Sequence, residues 1–268
     1  MPSAGSNTLP GVRRTFPYGA GSISYRFTQL STEDRRGPIL LIHGWGMNSD
    51  ASWCSVLQEL DSGFIAVDLP GFGGSRSVGR FTWESAALSV LAALDHAGLG
   101  QVHVVAHSMG GPVAATLIEL APHRVLSLTA VASTLRWEPR RSHRFVYDLT
   151  SSAVNEGLHF FEPDARRMLR RAALRIRSMS QMLARPPQTT AMRESVSLLK
   201  QLQLHDWASV SFPPTAWVIP SKDTILPAQW QHESAALCGA TVIEVPRLGH
   251  NFMIDHPRLL VEHLNSRS

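Results

Sequence analysis

The residues with the clearest chemical meaning lie at positions 104–111, with the sequence Val-Val-Ala-His-Ser-Met-Gly-Gly. A β-forming run leads directly into Ser108, and two glycines and a segment of helical length follow it. This is the order of a nucleophile elbow, a sharp strand-to-helix turn that raises a serine Oγ above a sheet. The usual motif is Gly-x-Ser-x-Gly, and Ala106 is the least disruptive replacement for its first glycine. We predict that Ser108 is a nucleophile; the alternative is a serine that caps a core helix.

A serine nucleophile needs a general base and an acid that orients the base. In folds with this elbow the chain order is Ser, then Asp or Glu, then His. Of the twelve histidines, His250 follows the last strand-like run, residues 241–245, where ligands of parallel sheets bind. Asp223 follows the preceding run, residues 216–219, and is the predicted acid. Asp206 is the second choice.

The predicted reaction also needs two backbone N–H groups that stabilise an oxyanion. The residue after the nucleophile, Met109, supplies one, and the loop at residues 43–46, His-Gly-Trp-Gly, supplies the other. We assign the second donor to Trp45 and expect its indole to wall the acyl pocket. His43 is expected to hydrogen-bond backbone near this loop and not to act as the base. Asp68, which precedes the serine, is expected to brace a turn.

Positioning these residues requires a sheet, and short apolar runs do alternate with segments of helical length. Alternation of this kind predicts an α/β fold with a mostly parallel central sheet and helices on both faces. The predicted strands are residues 38–42, 64–67, 102–106, 128–132, 216–219 and 241–245, and the predicted helices include residues 82–97 and 108–120.

The alternation stops between residues 135 and 206, where no strand-like run occurs. Helical patterns with Arg on one side and Leu, Met and Ala on the other fill this segment, interrupted by prolines. We predict a helical cap at residues 135–206, inserted into a hydrolase core formed by residues 1–134 and 207–268.

The composition is that of a globular domain, with 44% hydrophobic and 17% charged residues. No apolar stretch approaches the roughly 18 residues of a transmembrane helix, and the first residues lack the apolar run of a signal peptide. We therefore expect a cytoplasmic monomer without membrane contact. Cys54 and Cys238 are predicted to be free thiols, and no spacing of ligand residues predicts a metal or another cofactor.

The net charge of +4 is unevenly distributed. Residues 136–200 contain 13 basic and six acidic residues, a net charge of +7, so the remainder carries −3. Within this segment Arg166, Arg167, Arg170 and Arg171 recur with helical spacing on one predicted face. A basic surface favours an acidic partner, and no nucleic-acid module is recognisable. The alternative is a solvated cationic face without a partner.

Several segments together resemble the pimeloyl-[acyl-carrier protein] methyl ester carboxylesterases of biotin synthesis. They are residues 43–48, residues 68–75, the Ser108 elbow followed by Gly-Gly-Pro-Val-Ala, residues 131–133, the region of Asp223 and residues 249–257. The resemblance covers the core on both sides of the insertion, while the insertion matches poorly and is shorter.

The resemblance implies an α/β-hydrolase fold and a carboxylesterase that removes a methyl group from an acyl chain on acyl carrier protein. It also implies that basic residues of the cap receive this acidic carrier, for which Arg166, Arg167, Arg170 and Arg171 are the candidates. Two other functions remain open: a thioesterase or short-chain esterase acting on free small molecules, and a non-catalytic binding protein on a hydrolase scaffold. A haloalkane dehalogenase is disfavoured because its nucleophile is a carboxylate.

Overall fold

The computed structural model describes residues 8–29, 37–137 and 165–266, with side chains from residue 169 onward in the last range. Their strands form one eight-stranded sheet in the order β1-β2-β4-β3-β5-β6-β7-β8. The strands are β1 Val12–Tyr18, β2 Gly21–Phe27, β3 Ile39–Ile42, β4 Phe64–Val67, β5 Val102–His107, β6 Val125–Val131, β7 Thr215–Pro220 and β8 Thr241–Val245. The helices are α1 Ser49–Glu59, α2 Trp83–His96, α3 Gly110–Leu120, α4 Ala165–Ala184, α5 Thr189–Leu199, α6 Ala228–Leu237, α7 Phe252–Asp255 and α8 Pro257–Asn265.

The six predicted strands are present and pair in parallel from β4 through β3 to β8. The hairpin of β1 and β2 at the antiparallel edge was not predicted. Its first strand is largely exposed and carries two arginines and Pro17, so it lacks the apolar run of a buried strand. The signal for it was the two-residue loop between Tyr18 and Gly21, which is typical of a hairpin.

Helices cover both faces of the sheet, so each face has its own hydrophobic core. Strands β3 and β4 are four apolar residues long and buried throughout, as expected for the centre of a doubly covered parallel sheet. One core joins the sheet to α2, α3 and α6. The other joins it to α1, α7 and α8, with Trp53 fully buried in it.

Side-chain caps fix where the first helices begin, and with them the loops that enter the site. Asn48 Oδ1 accepts the Ala51 N–H at 2.9 Å and starts α1. Thr82 and Ser85 form a reciprocal capping box at the start of α2. Asp68 braces its turn as expected, because its carboxylate accepts the N–H groups of Ser49 and Gly74, both at 2.8 Å.

Helix α4 lies against α1 and α7 with its polar face turned toward the core. From this face Arg175 bonds Asp255, and Ser178 Oγ donates to the Ala51 carbonyl at 2.7 Å. The opposite face is exposed and apolar, and it carries Leu169, Ile176, Met179 and Leu183. The arginine and apolar faces predicted from the sequence are therefore both present, but the polar one meets the protein.

Asp50 on α1 is the buried centre of an ion cluster that joins the N-terminal hairpin to α4. Its carboxylate has no exposed surface and pairs with Arg13 at 2.8 Å, with Arg26 at 2.7 Å and with Arg185. Burial alone would raise the pKa of Asp50, but the hydrogen bonds and charges of Arg26 and Arg13 hold it well below its ordinary range. The folded state therefore favours the ionised form of this carboxylate.

We predict that Asp50→Asn lowers the free energy of unfolding by about 3–5 kcal/mol, because it leaves the largely buried guanidinium groups of Arg26 and Arg185 without their counter-charge. Urea unfolding at neutral pH measures this loss. Because folding lowers the pKa of Asp50, its contribution to the free energy of unfolding is fully present above its unfolded-state pKa near 4. This contribution is lost progressively as pH falls from that value through the pKa of the folded state. The variant should therefore lose less stability on acidification than the parent. Asp61→Asn, at an exposed position, is the control; equal losses in the two variants would contradict the prediction.

Candidate active site

Ser108 lies at the junction of β5 and α3 with a left-handed backbone conformation, φ +52°. Such a conformation is strained for a residue with a side chain and persists only when its surroundings fix it. Here the Ser108 N–H donates to the Val131 carbonyl at 3.0 Å. The Ser108 carbonyl accepts from Ser133 Oγ at 2.7 Å and from the Gly111 N–H at 3.0 Å. Sheet, helix and neighbouring loop therefore all hold the predicted elbow.

Small residues around the serine permit this close approach of backbone segments. A Cβ added at Gly111 would overlap Ser133 Oγ, so the hydrogen bond to the Ser108 carbonyl depends on glycine there. Ala106 stands where the usual motif has glycine, and it is fully buried between Ile42 of β3 and Ala130 of β6. The structure accommodates its methyl group within the regular pairing of β5.

The predicted base and acid come together with Ser108 at the carboxyl ends of three parallel strands, β5, β7 and β8. His250 follows β8, and its Nε2 lies 3.0 Å from Ser108 Oγ. Its Nδ1 lies 2.8 Å from Asp223 Oδ2, in the loop after β7. The Asp223 side chain has no exposed surface and that of His250 is 3% exposed. Three residues that lie 27 to 142 positions apart thus form one continuous chain of hydrogen bonds.

Asp223 is held by donors that the sequence did not identify. Its Oδ1 accepts the N–H groups of Ile225 at 2.9 Å and of Leu226 at 2.8 Å. Its Oδ2 accepts from Gln231 Nε2 on α6 at 3.0 Å, in addition to His250. These bonds fix the carboxylate so that one oxygen faces the imidazole. Asp206, the second choice for the acid, is exposed at the start of a 3₁₀ turn.

His107, next to Ser108, also lies near His250 and was not among the candidate residues of the sequence analysis. It is 1% exposed, and its ring lies 4.9 Å from that of His250 between centroids. Its Nε2 lies 3.2 Å from the His250 carbonyl and must carry the proton, since a carbonyl only accepts. Its Nδ1 finds no hydrogen-bond partner among the described residues. Burial, then the charge of His250, lowers the pKa of His107 well below its ordinary value.

The predicted oxyanion donors lie beside the serine. Met109 is the cap residue of α3, and Trp45 follows Gly44 in the loop after β3. Both line a cleft above Ser108 that encloses about 310 Å³, counting its opening to solvent. Its described lining is Trp45, Ser108, Met109, Thr134, Trp137, Leu199, Ile225 and Leu226. No charged side chain belongs to this lining, so the cleft suits an uncharged group of modest size.

The candidate carrier-binding arginines are described only in part. Arg170 is 64% exposed and lies 3.4 Å from Glu59, while Arg171 is half-buried. The side chains of Arg166 and Arg167 lie outside the described residues, as do residues 138–164 of the predicted cap. In the described ranges no group of His, Cys, Asp or Glu is arranged to hold a metal ion. No described helix has the length and apolar character needed to cross a membrane.

Comparison with known proteins identifies similar sequences and folds. Residues 37–257 match the alpha/beta hydrolase fold family. The chain is 29% identical to the pimeloyl-[acyl-carrier protein] methyl ester esterase of Aeromonas hydrophila, over 85% of this chain and 94% of that protein. It is also 29% identical to the dihydrolipoyllysine-residue acetyltransferase component of the acetoin cleaving system of Pseudomonas putida, over 80% of this chain. The chain spans 58% of the length of that second relative.

A solved structure, that of a hydrolase from Pseudomonas aeruginosa, superposes with a TM-score of 0.73. It is 20% identical, and the match covers 96% of this chain and 98% of that one. At this identity the likeness concerns the fold. Together with the family match it confirms the predicted fold class, and the esterase relatives confirm the resemblance found in the sequence.

The buried neutral state of His107 predicts a pH dependence of stability. The unfolded chain protonates this histidine near pH 6.5, whereas the folded protein resists protonation. The free energy of unfolding should therefore fall as pH decreases below about 6.5. In His107→Gln this slope should be smaller by up to about 1.4 kcal/mol per pH unit, the limit for one proton. Urea unfolding at pH 5, 6 and 7 measures it, with the exposed His123→Gln as control. Identical slopes in the parent and His107→Gln would contradict the prediction.

Proposed function

The chain belongs to the α/β-hydrolase fold family, and from this premise we propose a serine carboxylesterase that removes the methyl group from an acyl ester carried on acyl carrier protein. That it is a carboxylic ester hydrolase rests on the family and on its esterase relatives. The observation that carries the mechanism is the continuous chain of hydrogen bonds from Asp223 through His250 to Ser108.

The reaction proceeds in two halves. His250 Nε2 takes the Ser108 Oγ proton while Oγ attacks the ester carbonyl, and Asp223 stabilises the imidazolium that forms. The N–H groups of Met109 and Trp45 stabilise the oxyanion. His250 then gives this proton to the methoxy oxygen, which leaves as methanol, and an acyl-enzyme remains. Water, deprotonated by His250, cleaves this intermediate to the carboxylic acid and restores Ser108.

The cleft supports an uncharged ester as the group that reaches the serine. Its described lining is apolar apart from Ser108 and Thr134, and two tryptophans, Trp45 and Trp137, contribute to it. A methyl ester has no charge, whereas the free carboxylate it yields would be poorly solvated there. This difference favours product release. The Aeromonas hydrophila relative, a pimeloyl-[acyl-carrier protein] methyl ester esterase, supports the same ester class.

Residues 135–206 form the proposed cap, which selects what enters the cleft. Helix α5 contributes Leu199 to the lining, and the Trp45 indole N–H donates to the Met192 carbonyl of the same helix at 3.3 Å. The proposed cap is thus joined to the loop that carries a proposed oxyanion donor. The carrier would bind near Arg166, Arg167, Arg170 and Arg171, for which the net charge of +7 over residues 136–200 is the support.

We expect Ser108→Ala to lower kcat for a short p-nitrophenyl ester by about 10⁵–10⁶-fold, because the nucleophile is lost. The variant should keep the parent's unfolding midpoint within error, since alanine removes only Oγ and leaves the packing around the elbow unchanged. Labelling with a fluorophosphonate should mark the parent at Ser108 and leave the variant unlabelled. Undiminished turnover in Ser108→Ala would contradict the assignment. A folded parent that neither turns over esters nor takes the label would instead favour the non-catalytic binding protein.

An esterase acting on free small molecules is the second candidate function. It is favoured because some arginines of α4 bond core carboxylates, such as Arg175 with Asp255, and are not free to bind an acidic carrier.

Charge reversal of the candidate carrier-binding arginines separates the two functions. The combined variant Arg166→Glu, Arg167→Glu and Arg170→Glu should raise KM for a carrier-bound methyl ester at least tenfold and leave KM for the free ester unchanged. Arg80→Glu, an exposed arginine before α2, is the matched control. An equal KM for the carrier-bound ester in all three proteins would support the free-ester reading.

A further inference from the structure

His43 is a second buried histidine whose hydrogen bonds define its chemical state. It has no exposed surface. Its Nδ1 lies 2.8 Å from the Gly44 carbonyl, which only accepts, so Nδ1 carries the proton. Its Nε2 lies 3.0 Å from the Leu69 nitrogen and accepts that N–H. Both ring nitrogens are therefore used, and only the neutral Nδ1–H tautomer satisfies both bonds.

The first of these bonds acts on the peptide that joins Gly44 to Trp45. The described residues contain no cis peptide bonds, and in a planar trans peptide the C=O and the N–H point in opposite directions. The Gly44 carbonyl and the Trp45 N–H belong to the same peptide plane. By holding that carbonyl toward its own ring, His43 directs the Trp45 N–H to the opposite side.

From this geometry we infer that His43 is a positioning residue for the oxyanion hole: it fixes the orientation of the peptide that supplies the Trp45 N–H. The inference rests on the proposed serine-esterase function and deepens it, because it assigns a role to a residue that does not touch the substrate. Loss of the bond to the Gly44 carbonyl would allow this peptide to rotate and would remove one of the two oxyanion donors.

The position of Gly44 supports this assignment. A Cβ added there would come within 3.2 Å of the Ser108 Cβ and within 2.8 Å of His107 Nδ1. The peptide that His43 holds thus starts at a residue that lies against Ser108. Trp45, at its other end, lines the cleft above Ser108.

The second bond of His43 connects this loop to a rigid support. The Leu69 N–H that binds Nε2 follows Asp68, whose carboxylate is bonded to Ser49, Gly74 and Arg13. The ring therefore has a fixed anchor on one side and the oxyanion peptide on the other. Burial lowers the pKa of His43 despite the opposing charge of Asp68, which maintains the neutral tautomer that both bonds require.

Two conservative variants separate the two bonds of His43. An Asn side-chain N–H occupies nearly the position of Nδ1 and retains the donor to the Gly44 carbonyl. A Gln amide reaches the position of Nε2 and retains the acceptor for the Leu69 N–H. Leu retains neither. We expect His43→Asn to keep kcat within about threefold of the parent. We expect His43→Gln and His43→Leu to lose about 10²-fold in kcat or more, the cost of one oxyanion donor, with KM changed little.

The measurement is kcat and KM for a p-nitrophenyl ester, expressed per active site titrated with fluorophosphonate so that unfolded protein does not contribute. A trifluoromethyl ketone, which binds as an oxyanion on the serine, should lose affinity in parallel with kcat. Unfolding midpoints are recorded for each variant, and His123→Asn and His123→Leu, at an exposed histidine, are the matched controls.

The outcomes distinguish the inference from the function on which it rests. If the parent is active and His43→Asn loses as much kcat as His43→Leu, or if all three variants keep kcat per active site, the positioning role is wrong and the esterase function stands. If stability falls in all three while kcat per site does not, His43 is purely structural and the inference is overturned. A parent without ester turnover or labelling would overturn the proposed function and the role of His43 with it.

Discussion

The left-handed backbone of Ser108 is the constraint on which the rest of the structure depends. A residue with a side chain adopts φ near +52° only when its neighbours hold it there. Three elements do so: β6 through the Val131 carbonyl, the loop after β6 through Ser133, and α3 through Gly111. The same turn ends β5 in the middle of the sheet and starts a helix, which directs the helix N-terminus and its partial positive charge toward the serine. The position of the reactive oxygen therefore follows from the pairing of the sheet.

Buried neutral histidines support the site on both sides of the serine. His107 donates to the carbonyl of His250, and His43 donates to the carbonyl of Gly44. Each thus fixes a backbone segment next to a proposed catalytic group without contacting the substrate. Burial favours the uncharged form of both rings. An uncharged ring suits the proposed mechanism, because another cation beside His250 would oppose formation of its imidazolium.

Helix α4 binds the core through charge and leaves its apolar side outward. Arg175 of α4 bonds Asp255 on α7, and Arg185, directly after the end of α4, bonds the buried Asp50 on α1. Removal of either partner of such an ion pair leaves the other charge without compensation, so these pairs favour a single position of the helix. The attachment thus fixes the position of α4 relative to α1, whose first residues follow the loop that carries the proposed oxyanion donor Trp45.

The sequence alone determined the fold class, the six parallel strands and the candidate residues Ser108, His250 and Asp223, because each of these follows a short apolar run in a fixed chain order. It also led to the expectation that His43 hydrogen-bonds backbone near its loop, which the structure confirms. It did not predict the β1–β2 hairpin, whose exposed strand has no apolar run, nor the roles of His107 and Gln231. His107 bonds a backbone carbonyl 143 residues away, and Gln231 bonds a carboxylate in the preceding loop, and no local sequence pattern encodes either contact. The order of the candidate residues along the chain can be predicted from local sequence patterns. The partner of a buried polar group is decided only when the strands pair and bring distant loops to one edge of the sheet. For the same reason the sequence predicted two faces of α4, but only tertiary packing, through carboxylates such as Asp255 that bond its arginines, decided which face meets the protein.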